Sequence, residues 1–596
     1  MDFIIDRIFE IFRYIPGNPM IFNSGYFFVF FLLFISIYAF VFKNRKTVTL
    51  YVIAFSLFFY YKSSGLYFIL LILTAITDYW FALKIDNASE NKIKRLWLIL
   101  SVGSSLGLLI FFKYSNFIIG NLIQILNYIG LDLWLSVISE SGDRPFFSSL
   151  ESIISNNFQP LDIFLPIGIS FYTFQSISYV VDVYTKKLRP EKNFLDYFFF
   201  LSFFPQLVAG PIVKANLFLP QLKKKIVLKK EVIWMGVWLI LIGLLKKAVI
   251  ADYISQYNDF VFMSPYTYSG FENLMAVIGY TLQIYCDFSG YSDMAIGLGM
   301  IMGFDLGINF NFPYKAINIT DFWRRWHISL SSWLRDYLYI PLGGNRKGKL
   351  KMYRNLFLTM FLGGLWHGAN WKFVVWGSLH GIALAIHKSL KPKLDLLPKA
   401  KSLRLTSWFF TFIFVMTLWI FFRAVDVSEA YSEHKINGGK DCEYYTQIAE
   451  RTDSTFRVRL IYSGAKLKQD TLTTTLFVKS STKIRIKEKI KGEDRILTIH
   501  AMIPAYKVAF YMIKKIVMET DFYKYTLIFY ESHSLWVLLL LIGFLIHFSP
   551  QRLTDLVSAT FVSLPLVLKL IVFMVVLQLV IQFKNADVVP FIYFQF

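Results

Sequence analysis

Residues 309–348 read NFNFPYKAINITDFWRRWHISLSSWLRDYLYIPLGGNRKG, and residues 361–371 read FLGGLWHGANW. Each stretch places one histidine, His327 or His367, among tryptophans inside an otherwise apolar sequence. An ionisable group at membrane depth is costly and usually functional. For either residue alone, a core histidine capped by a carbonyl would be the simpler interpretation. The chain has only 8 histidines, however, and two of them in such neighbourhoods favour a functional site.

The composition of the whole chain is that of a membrane protein. Of the 596 residues, 56% are hydrophobic and 19% are aromatic, and the mean hydropathy is +0.49. Soluble domains rarely have such a composition. The longest apolar runs approach the ~20 residues needed to cross a hydrocarbon core. They are 26–42, 64–82, 97–112, 232–250, 373–387, 407–422, 535–547 and 564–583.

Less uniform apolar runs lie at 48–61, 115–130, 195–213 and 272–304. Together with the longer runs, they predict about eleven transmembrane helices and some re-entrant segments. The fold class is therefore predicted to be an all-α polytopic membrane protein.

The net charge of +22 has its source in short basic segments between the apolar runs. Because this is the positive-inside pattern, we expect most of these segments to face the cytoplasm, and the charge does not indicate nucleic acid. The acidic segment 131–160 fits the outer side. The two cysteines, Cys286 and Cys442, provide neither a disulfide framework nor a thiolate metal site. The basic segments are Lys43–Lys46, Lys92–Arg95, Lys186–Lys192, Lys223–Lys230, Arg346–Lys351 and Lys391–Arg404.

Two regions interrupt the apolar pattern. Between 160 and 190, Pro160, Pro166 and Gly168 break the helix before FYTFQSISY. Irregular backbone at membrane depth must be buried in protein or line a cavity. Between 305 and 355 lies a polar stretch that we expect to line a water-filled central funnel. Its charged residues include Asp321, Arg324, Arg325, Arg335, Asp336 and Arg346.

The chain divides into four predicted regions. Residues 1–20 form an amphipathic interfacial helix without the features of a cleavable signal, and residues 21–425 form the membrane core. Residues 432–504 alternate apolar and polar side chains and are rich in Thr, Ile and Val, which predicts a small β-rich insertion. This insertion is either a partner-binding module or a tolerated segment without a catalytic role. Residues 505–596 return to membrane helices.

The two histidine motifs resemble the signature of the membrane-bound O-acyltransferases, in the branch that contains AlgI-like alginate O-acetylation proteins and the related DltB-like D-alanyl transfer proteins. The resemblance extends through LPIGISFYTFQSISYVVDVY (165–184), FFPQLVAGPIVKA (203–215) and QIYCDFSGYSDMAIGLGMIMGF (283–304). It covers roughly residues 20–425 and, more loosely, the part from about 505. Several motifs in the same order are more specific than any one of them.

This resemblance implies acyl transfer to a hydroxyl, with His367 at the principal catalytic position and His327 at the second. A hydroxyl needs a general base within hydrogen-bond reach, and a buried neutral imidazole suits that role. His327 would orient the acceptor or polarise the acyl carbonyl, and the two roles are open to exchange. The resemblance further implies no bound cofactor, and acetyl-CoA or another activated acyl donor as the substrate.

Other residues near the motifs are candidates for a substrate channel. Trp326 and Trp366 would shape a dry path, although tryptophan is also an ordinary interface anchor. Arg324, Arg325 and Arg335 would bind phosphate or carboxylate groups, or else pair with Asp321 and Asp336. The basic loop that begins at Arg346 would receive coenzyme A phosphates or only anchor the cytoplasmic side. Asp287 and Asp293 are expected to tie helices together rather than to complete a nucleophile triad.

The resemblance leaves the acyl group and the acceptor open. We expect O-acetylation of an exported polysaccharide in the bacterial cytoplasmic (inner) membrane, with a periplasmic SGNH-type acetyltransferase or a polysaccharide export complex as partner. The alternative within the same fold is D-alanyl or other acyl transfer to a cell-envelope polymer. A transporter or flippase is the alternative from another class, but the sequence has no pair of matching interrupted helices that would indicate inverted repeats.

Overall fold

The computed structural model describes residues 12–15, 19–129, 163–208, 210–398, 400–426, 430–434, 442–451, 455–462, 471–477, 483–490, 493–500 and 503–583. The acidic segment 131–160 lies outside these residues, and so does most of the predicted interfacial helix at 1–20.

The first half of the chain is helical throughout its described residues, apart from the connections. Its helices are α1 Gly25–Val41, α2 Arg45–Ser64, α3 Phe68–Asn87, α4 Asn91–Tyr128, α5 Ile169–Tyr184, α6 Phe194–Ser202, α7 Phe204–Leu207, α8 Ala215–Leu222, α9 Lys230–Leu244, α10 Asp252–Met263 and α11 Gly270–Ile301. A π-helical segment, Leu245–Ala251, joins α9 to α10.

The second half begins with short helices and continues with longer ones. The helices are α12 Ile319–Arg325, α13 Ile328–Leu334, α14 Lys349–His367, α15 Trp371–Leu394, α16 Lys401–Arg423, α17 Ala505–Glu519, α18 Phe522–Ser532, α19 Ser534–Phe548, α20 Gln551–Ser563 and α21 Leu566–Phe583.

Six helical segments among the described residues are long and apolar enough to cross a membrane. A seventh is added if the pair Tyr525–Ser532 and Ser534–Phe548, bent by 94°, is one broken span. The chain is therefore a multi-pass α-helical membrane protein. The six segments are Arg45–Asn87, Asn91–Leu126, Lys230–Met263, Trp371–Leu394, Lys401–Arg423 and Leu566–Phe583.

Several apolar runs that the sequence separates are continuous or short in the structure. The runs 97–112 and 115–130 fall almost wholly in the single 38-residue helix α4. The run 195–213 forms the buried helices α6 and α7, of 9 and 4 residues. At about 1.5 Å per residue, neither is long enough to cross a bilayer alone. The break predicted near Pro166 is present, since α5 begins at Ile169 after Gly168 in a left-handed conformation.

Helix α11 is central to the bundle and is buried on nearly all sides. It begins with a capping box, in which Ser269 and Glu272 satisfy each other's backbone N–H groups. It lies directly against α9 because glycines face one another at two crossings. A Cβ at Gly236 would lie 2.7 Å from the Gly297 carbonyl oxygen, and one at Gly290 would lie 2.7 Å from that of Gly243. Small residues allow such backbone contact between membrane helices.

Helices α14 and α15 form a tight hairpin that carries His367 at its turn. A Cβ added to Gly364 would lie 2.8 Å from the Gly377 Cα, so the two backbones touch at this crossing. Asn370 caps the start of α15 by accepting from the Lys372 N–H at 3.0 Å. Between α11 and this hairpin, residues 302–348 contain only short helices and turns, as expected for the polar interruption.

The stretch predicted to be β-rich contains six strands in the structure. Strands β1 Ala430–His434, β2 Cys442–Arg451, β3 Thr455–Tyr462 and β4 Thr471–Phe477 form one antiparallel sheet, and β5 Lys483–Ile490 pairs with β6 Glu493–His500. The chain segments before and after these strands lie close together, because the Ala505 N–H donates to Asp426 Oδ1 at 2.6 Å. This contact caps α17, and the boundaries 432–504 of the insertion stay a prediction.

Candidate active site

His327 occupies the turn between α12 and α13. Its backbone is left-handed, with φ 43° and ψ 58°. At a residue other than glycine this costs on the order of 1–3 kcal/mol, so the surrounding contacts must fix the turn. One of them is the Ile328 N–H, which donates to the Asn309 carbonyl oxygen at 2.9 Å.

The Asn309 side chain determines which nitrogen of His327 carries the proton. Asn309 Oδ1 lies 3.1 Å from His327 Nδ1 and accepts from the Ser329 N–H at 3.2 Å. Because a backbone N–H requires an acceptor, this atom is the amide oxygen, and His327 Nδ1 must donate to it. In the neutral ring, Nε2 then holds the free lone pair. Nε2 is buried and has no hydrogen-bond partner among the described residues.

His367 is the last residue of α14 and is enclosed by aromatic rings. Its ring centroid lies 5.0 Å from that of Trp366, 5.0 Å from that of Trp376 and 5.2 Å from that of Phe422. The indole N–H groups of Trp366 and Trp376 are buried and have no acceptor among the described residues. An unsatisfied buried donor costs about 1–3 kcal/mol. Each of these N–H groups would therefore be stabilised by an acceptor atom bound within hydrogen-bond distance.

The end of α14 is fixed by two side chains from α4. Lys113 Nζ donates to the carbonyl oxygens of Trp366 and His367 at 2.9 and 2.8 Å. The Tyr114 hydroxyl donates to the Leu365 carbonyl oxygen at 2.7 Å. The last carbonyls of a helix have no partner within it. Lys113 and Tyr114 therefore satisfy three of them and fix the backbone that carries His367.

A cavity of about 70 Å³ opens beside His367. Its walls also include Lys113, Trp366 and the backbone around Gly168, where α5 begins. The interrupted segment near Pro166 and the histidine motif are thus adjacent in space. Irregular backbone lining a cavity is the arrangement expected at membrane depth.

An aromatic path connects the two histidines. Trp326, adjacent to His327, lies 4.9 Å from Trp419, which lies 5.5 Å from Phe422 beside His367. Neither histidine lies within one of the six candidate spans. Burial lowers the pKa of His327 and that of His367, and positive charge on His327 or Lys113 lowers the pKa of His367 further. Both rings are therefore neutral near pH 7.

The structure brings Trp326 and Trp366 to the histidines but gives the charged candidates other surroundings. Arg325 pairs with Asp321 at 2.8 Å, and Asp336 binds Arg335 at 2.7 Å and Lys214 at 2.5 Å. Burial raises the pKa of Asp336, but hydrogen bonds from Arg335 and Lys214 outweigh this effect and lower it. The structural alternative of pairing with Asp321 and Asp336 is thus present. Arg324 and Arg346 are exposed, and the predicted channel roles of all six charged residues stay predictions.

The expectation that Asp287 and Asp293 tie helices together is confirmed. Lys247, in the π-helical segment, forms ion pairs with Asp287 and Asp252, and Lys246 pairs with Asp293 at 2.6 Å. Lys247 is fully buried, so these carboxylates supply the charge that burial of an ammonium group requires.

Three residues at the site were not found by sequence reasoning. Asn309 and Lys113 act on the histidines through contacts 18 and 254 residues apart in sequence. His380 is buried with its ring 4.7 Å from Trp376, and its Nδ1 accepts from Trp323 Nε1 at 3.3 Å. The available signals were a polar residue within an apolar run for Lys113, and a third histidine 13 residues after His367.

Several known proteins and one family model are similar to this chain. A family model described as MBOAT, membrane-bound O-acyltransferase family, matches residues 186–425, which include both histidines. A peptidoglycan O-acetyltransferase from Helicobacter pylori is 39% identical over 442 residues, which are 68% of this chain and 78% of that protein.

Two further relatives are an alginate O-acetylase and a D-alanyltransferase. A probable alginate O-acetylase AlgI from Pseudomonas putida is 39% identical over 413 residues, which are 69% of this chain and 79% of that protein. A teichoic acid D-alanyltransferase from Bacillus subtilis is 31% identical over 234 residues, which are 37% of this chain and 58% of that protein.

Proposed function

The chain belongs to the membrane-bound O-acyltransferase family and is an O-acyltransferase, and we propose that it transfers acetyl groups from cytoplasmic acetyl-CoA across the membrane for O-acetylation of an exported polysaccharide. The observation that carries the proposal is the cavity that His367 lines, together with the packed aromatic rings that connect His367 to a second neutral imidazole, His327.

In the proposed reaction, the oxygen of an acceptor hydroxyl attacks the carbonyl carbon of the acetyl thioester. The imidazole of His367 takes the hydroxyl proton as the new C–O bond forms. The C–S bond breaks, and the coenzyme A thiolate takes the proton back from His367. The neutral histidine is thereby restored, and no covalent enzyme intermediate is formed.

The hydrogen bond between Asn309 and His327 supports one of the two roles left open for His327. Polarising a carbonyl requires an N–H donor, whereas His327 Nε2 holds a lone pair in the tautomer that Asn309 imposes. It is therefore suited to accept from a second hydroxyl of the acceptor and orient that molecule, because the proton of the attacking hydroxyl goes to His367. The buried N–H group of Trp366, which lines the cavity, is the donor available for the acyl oxygen.

The size of the cavity supports a short acyl group. An engineered protein cavity of about 150 Å³ binds benzene, so a cavity of about 70 Å³ fits a group of about half that size. An acetyl group, with three heavy atoms, is of this size. A long acyl chain would need several times the volume.

The path across the membrane is part of the proposal. Two funnels would meet near the histidines, one from the cytoplasm and one from the outer side, within a bundle of about eleven spans. The exposed basic loop at Arg346–Lys351 would receive the coenzyme A phosphates. Arg324, Arg335 and Asp336 would line the cytoplasmic funnel.

The acceptor side is proposed from the relatives. We infer an extracytoplasmic hydroxyl, either on the polysaccharide itself or on a periplasmic SGNH-type acetyltransferase or export complex that carries the group onward. The membrane would be the bacterial inner membrane. D-alanyl transfer is the competing outcome.

The test is mass analysis of surface glycans from wild-type cells, cells without the gene, and cells with His367→Ala. We expect acetyl esters only in the wild type. In parallel, the purified protein in nanodiscs should consume acetyl-CoA at least about tenfold faster than long-chain acyl-CoA, as the cavity volume requires.

The Trp371→Phe variant is the matched control, because Trp371 lies at the same hairpin but is half exposed and bonds Asn121 rather than the histidines. It should keep both readouts. Glycans that lose D-alanyl esters instead, or equal consumption of long acyl chains, would contradict the proposal.

A further inference from the structure

A second cavity, of about 510 Å³, lies where α9 meets the turn between α20 and α21. It shares no residue with the walls of the cavity beside His367. Its lining combines two basic groups, one tryptophan and several apolar side chains. The lining residues are Lys230, Glu231, Trp234, Met235, Ala559, Val562, Ser563, Leu564 and Lys569.

This cavity lies at the ends of two membrane spans. The candidate span Lys230–Met263 begins at its wall, and the candidate span Leu566–Phe583 begins beside Leu564. Residues 223–230, which lead into the start of α9, contain five lysines, which indicates the cytoplasmic side. Trp234 lies one turn inside its span, the usual depth of an interfacial tryptophan. The cavity is therefore at the cytoplasmic surface of the bilayer.

Lys569 brings a buried positive charge to this cavity. Only 5% of the residue is exposed. Its Nζ donates to the carbonyl oxygens of Val562 and Leu564 at 2.8 and 2.6 Å, and it lies 4.7 Å from the ring centroid of Trp234. An ammonium group has three N–H donors. The two carbonyl oxygens accept from two of them, so one donor is left for a ligand and the positive charge is not neutralised by these contacts.

No carboxylate of the described residues lies within ion-pair distance of Lys569. Buried charges in proteins are normally paired, and Glu231, the acidic residue of the lining, is exposed and forms no ion pair of this kind. A charged group without a counter-charge beside a cavity calls for an anionic occupant.

We propose that this cavity binds the phosphate headgroup of an anionic glycerophospholipid from the cytoplasmic leaflet. Lys569 and Lys230 would contact the phosphate, and Ser563 would donate a hydrogen bond. The acyl chains would lie along Met235 and Leu564, toward the exposed apolar face of α21. This site is independent of the proposed acetyl transfer.

The apolar lining distinguishes this occupant from a soluble phosphate compound. Met235, Val562 and Leu564 would have no partner in a complex with a free nucleotide, whereas lipid chains cover them. The position at the ends of two spans places the same surface next to the lipid.

The test is native mass spectrometry of the full chain released from nanodiscs of defined composition. In equal mixtures of phosphatidylglycerol and phosphatidylcholine, the wild type should retain one phosphatidylglycerol. Lys230→Gln should weaken its binding at least about tenfold. Ala559→Trp, which fills the cavity and leaves Lys569 and its bonds in place, should abolish retention.

Lys401→Gln is the matched control, since Lys401 is an exposed lysine at the first residue of another candidate span and outside the cavity. It should bind lipid as the wild type does. Equal retention of both lipids, or unchanged retention in Lys230→Gln and Ala559→Trp, would overturn the proposal. So would displacement of the lipid by equimolar coenzyme A, which would assign the cavity to a soluble phosphate.

Discussion

The two histidines of the candidate site are positioned in different ways. His327 is in a left-handed turn outside any helix, and a hydrogen bond from its own Nδ1 to Asn309 sets the orientation of its ring. His367 ends a long helix, and its surroundings fix it through the backbone, by Lys113 on the carbonyls, and through ring packing with Trp366 and Trp376.

The difference teaches how a protein separates two tasks of the same side chain. A hydrogen bond to Nδ1 fixes both the tautomer and the direction of the Nε2 lone pair, which suits a group that orients a substrate hydroxyl. Ring packing and helix capping fix the position of the His367 ring through its neighbours and its backbone. That suits a base whose protonation must change during the reaction.

The largest expected effect is that of His367→Ala. If His367 is the general base, the variant should lose about 10²–10⁴ in kcat while it accumulates normally in the membrane. Acetyl-CoA consumption in nanodiscs and protein level by immunoblot measure the two quantities. A variant with near-normal turnover would remove His367 from the mechanism and reverse the comparison.

The double variant His327→Ala/His367→Ala sharpens the comparison. His327→Ala should also be severely impaired, because the acceptor molecule loses its orienting partner. Residues that act as one unit have non-additive effects, so the double variant should be little slower than His367→Ala. Single-turnover rates of all three variants test this. Multiplied losses would show that the histidines serve separate steps.

Asn309→Ala should reduce kcat by about 10²-fold, the scale of a misplaced catalytic group. Asn309→Asp keeps an acceptor for His327 Nδ1 and should recover most of this loss. Its carboxylate stabilises the protonated imidazole and raises the pKa of His327, so the fall in activity toward low pH should begin at a higher pH.

The control for this series is Ser292→Ala, since Ser292 only accepts from Asn309 Nδ2, at 3.1 Å. It should leave the pH profile unchanged. An Asn309→Asp variant with the wild-type profile would show that Asn309 does not set the proton of His327.

Lys113→Met should lower kcat by about tenfold, equivalent to ~1.4 kcal/mol, with little change in KM. The end of α14 loses two hydrogen bonds at the residues that carry the His367 ring. Tyr114→Phe removes the neighbouring bond to Leu365 and is the matched control. If both variants lower Tm equally and neither changes kcat, Lys113 is only a structural residue.

The smallest effect is expected from deletion of 432–504 with Tyr431 joined to Ala505. Loops generally tolerate such changes, so membrane accumulation and acetyl-CoA turnover should stay within about twofold of the wild type. The contact between Asp426 and Ala505 brings the two ends together without the insertion. A deletion that destroys both readouts would make the insertion integral to the fold.

The sequence predicts features that depend on local pattern. Helical membrane architecture follows from the apolar runs. The ion pairs of Asp287 with Lys247 and of Asp293 with Lys246 follow from the presence of two acids within one buried helix. The prediction of an active histidine pair came from residues only 40 apart, each in a distinctive motif.

Features that depend on tertiary contact were not predicted. Lys113 looks like one polar residue in an apolar run, and nothing near it indicates that its partners lie at the end of α14. The count of about eleven spans stays a prediction, since a helix buried in protein need not be uniformly apolar. Helix α11 is surrounded by protein rather than lipid, so it has polar residues such as Asp287 and is not among the six candidate spans.

The contact between Gly364 and Gly377 has a consequence for how substrates enter the cavity beside His367. At this crossing no side chain lies between the two backbones that could rearrange, so α14 and α15 should move there as one rigid unit. His367 and Trp376 then keep their spacing throughout a turnover. Opening and closing of the enclosure must occur elsewhere, and the backbone around Gly168, which lines the cavity from the opposite element, is where entry would be controlled.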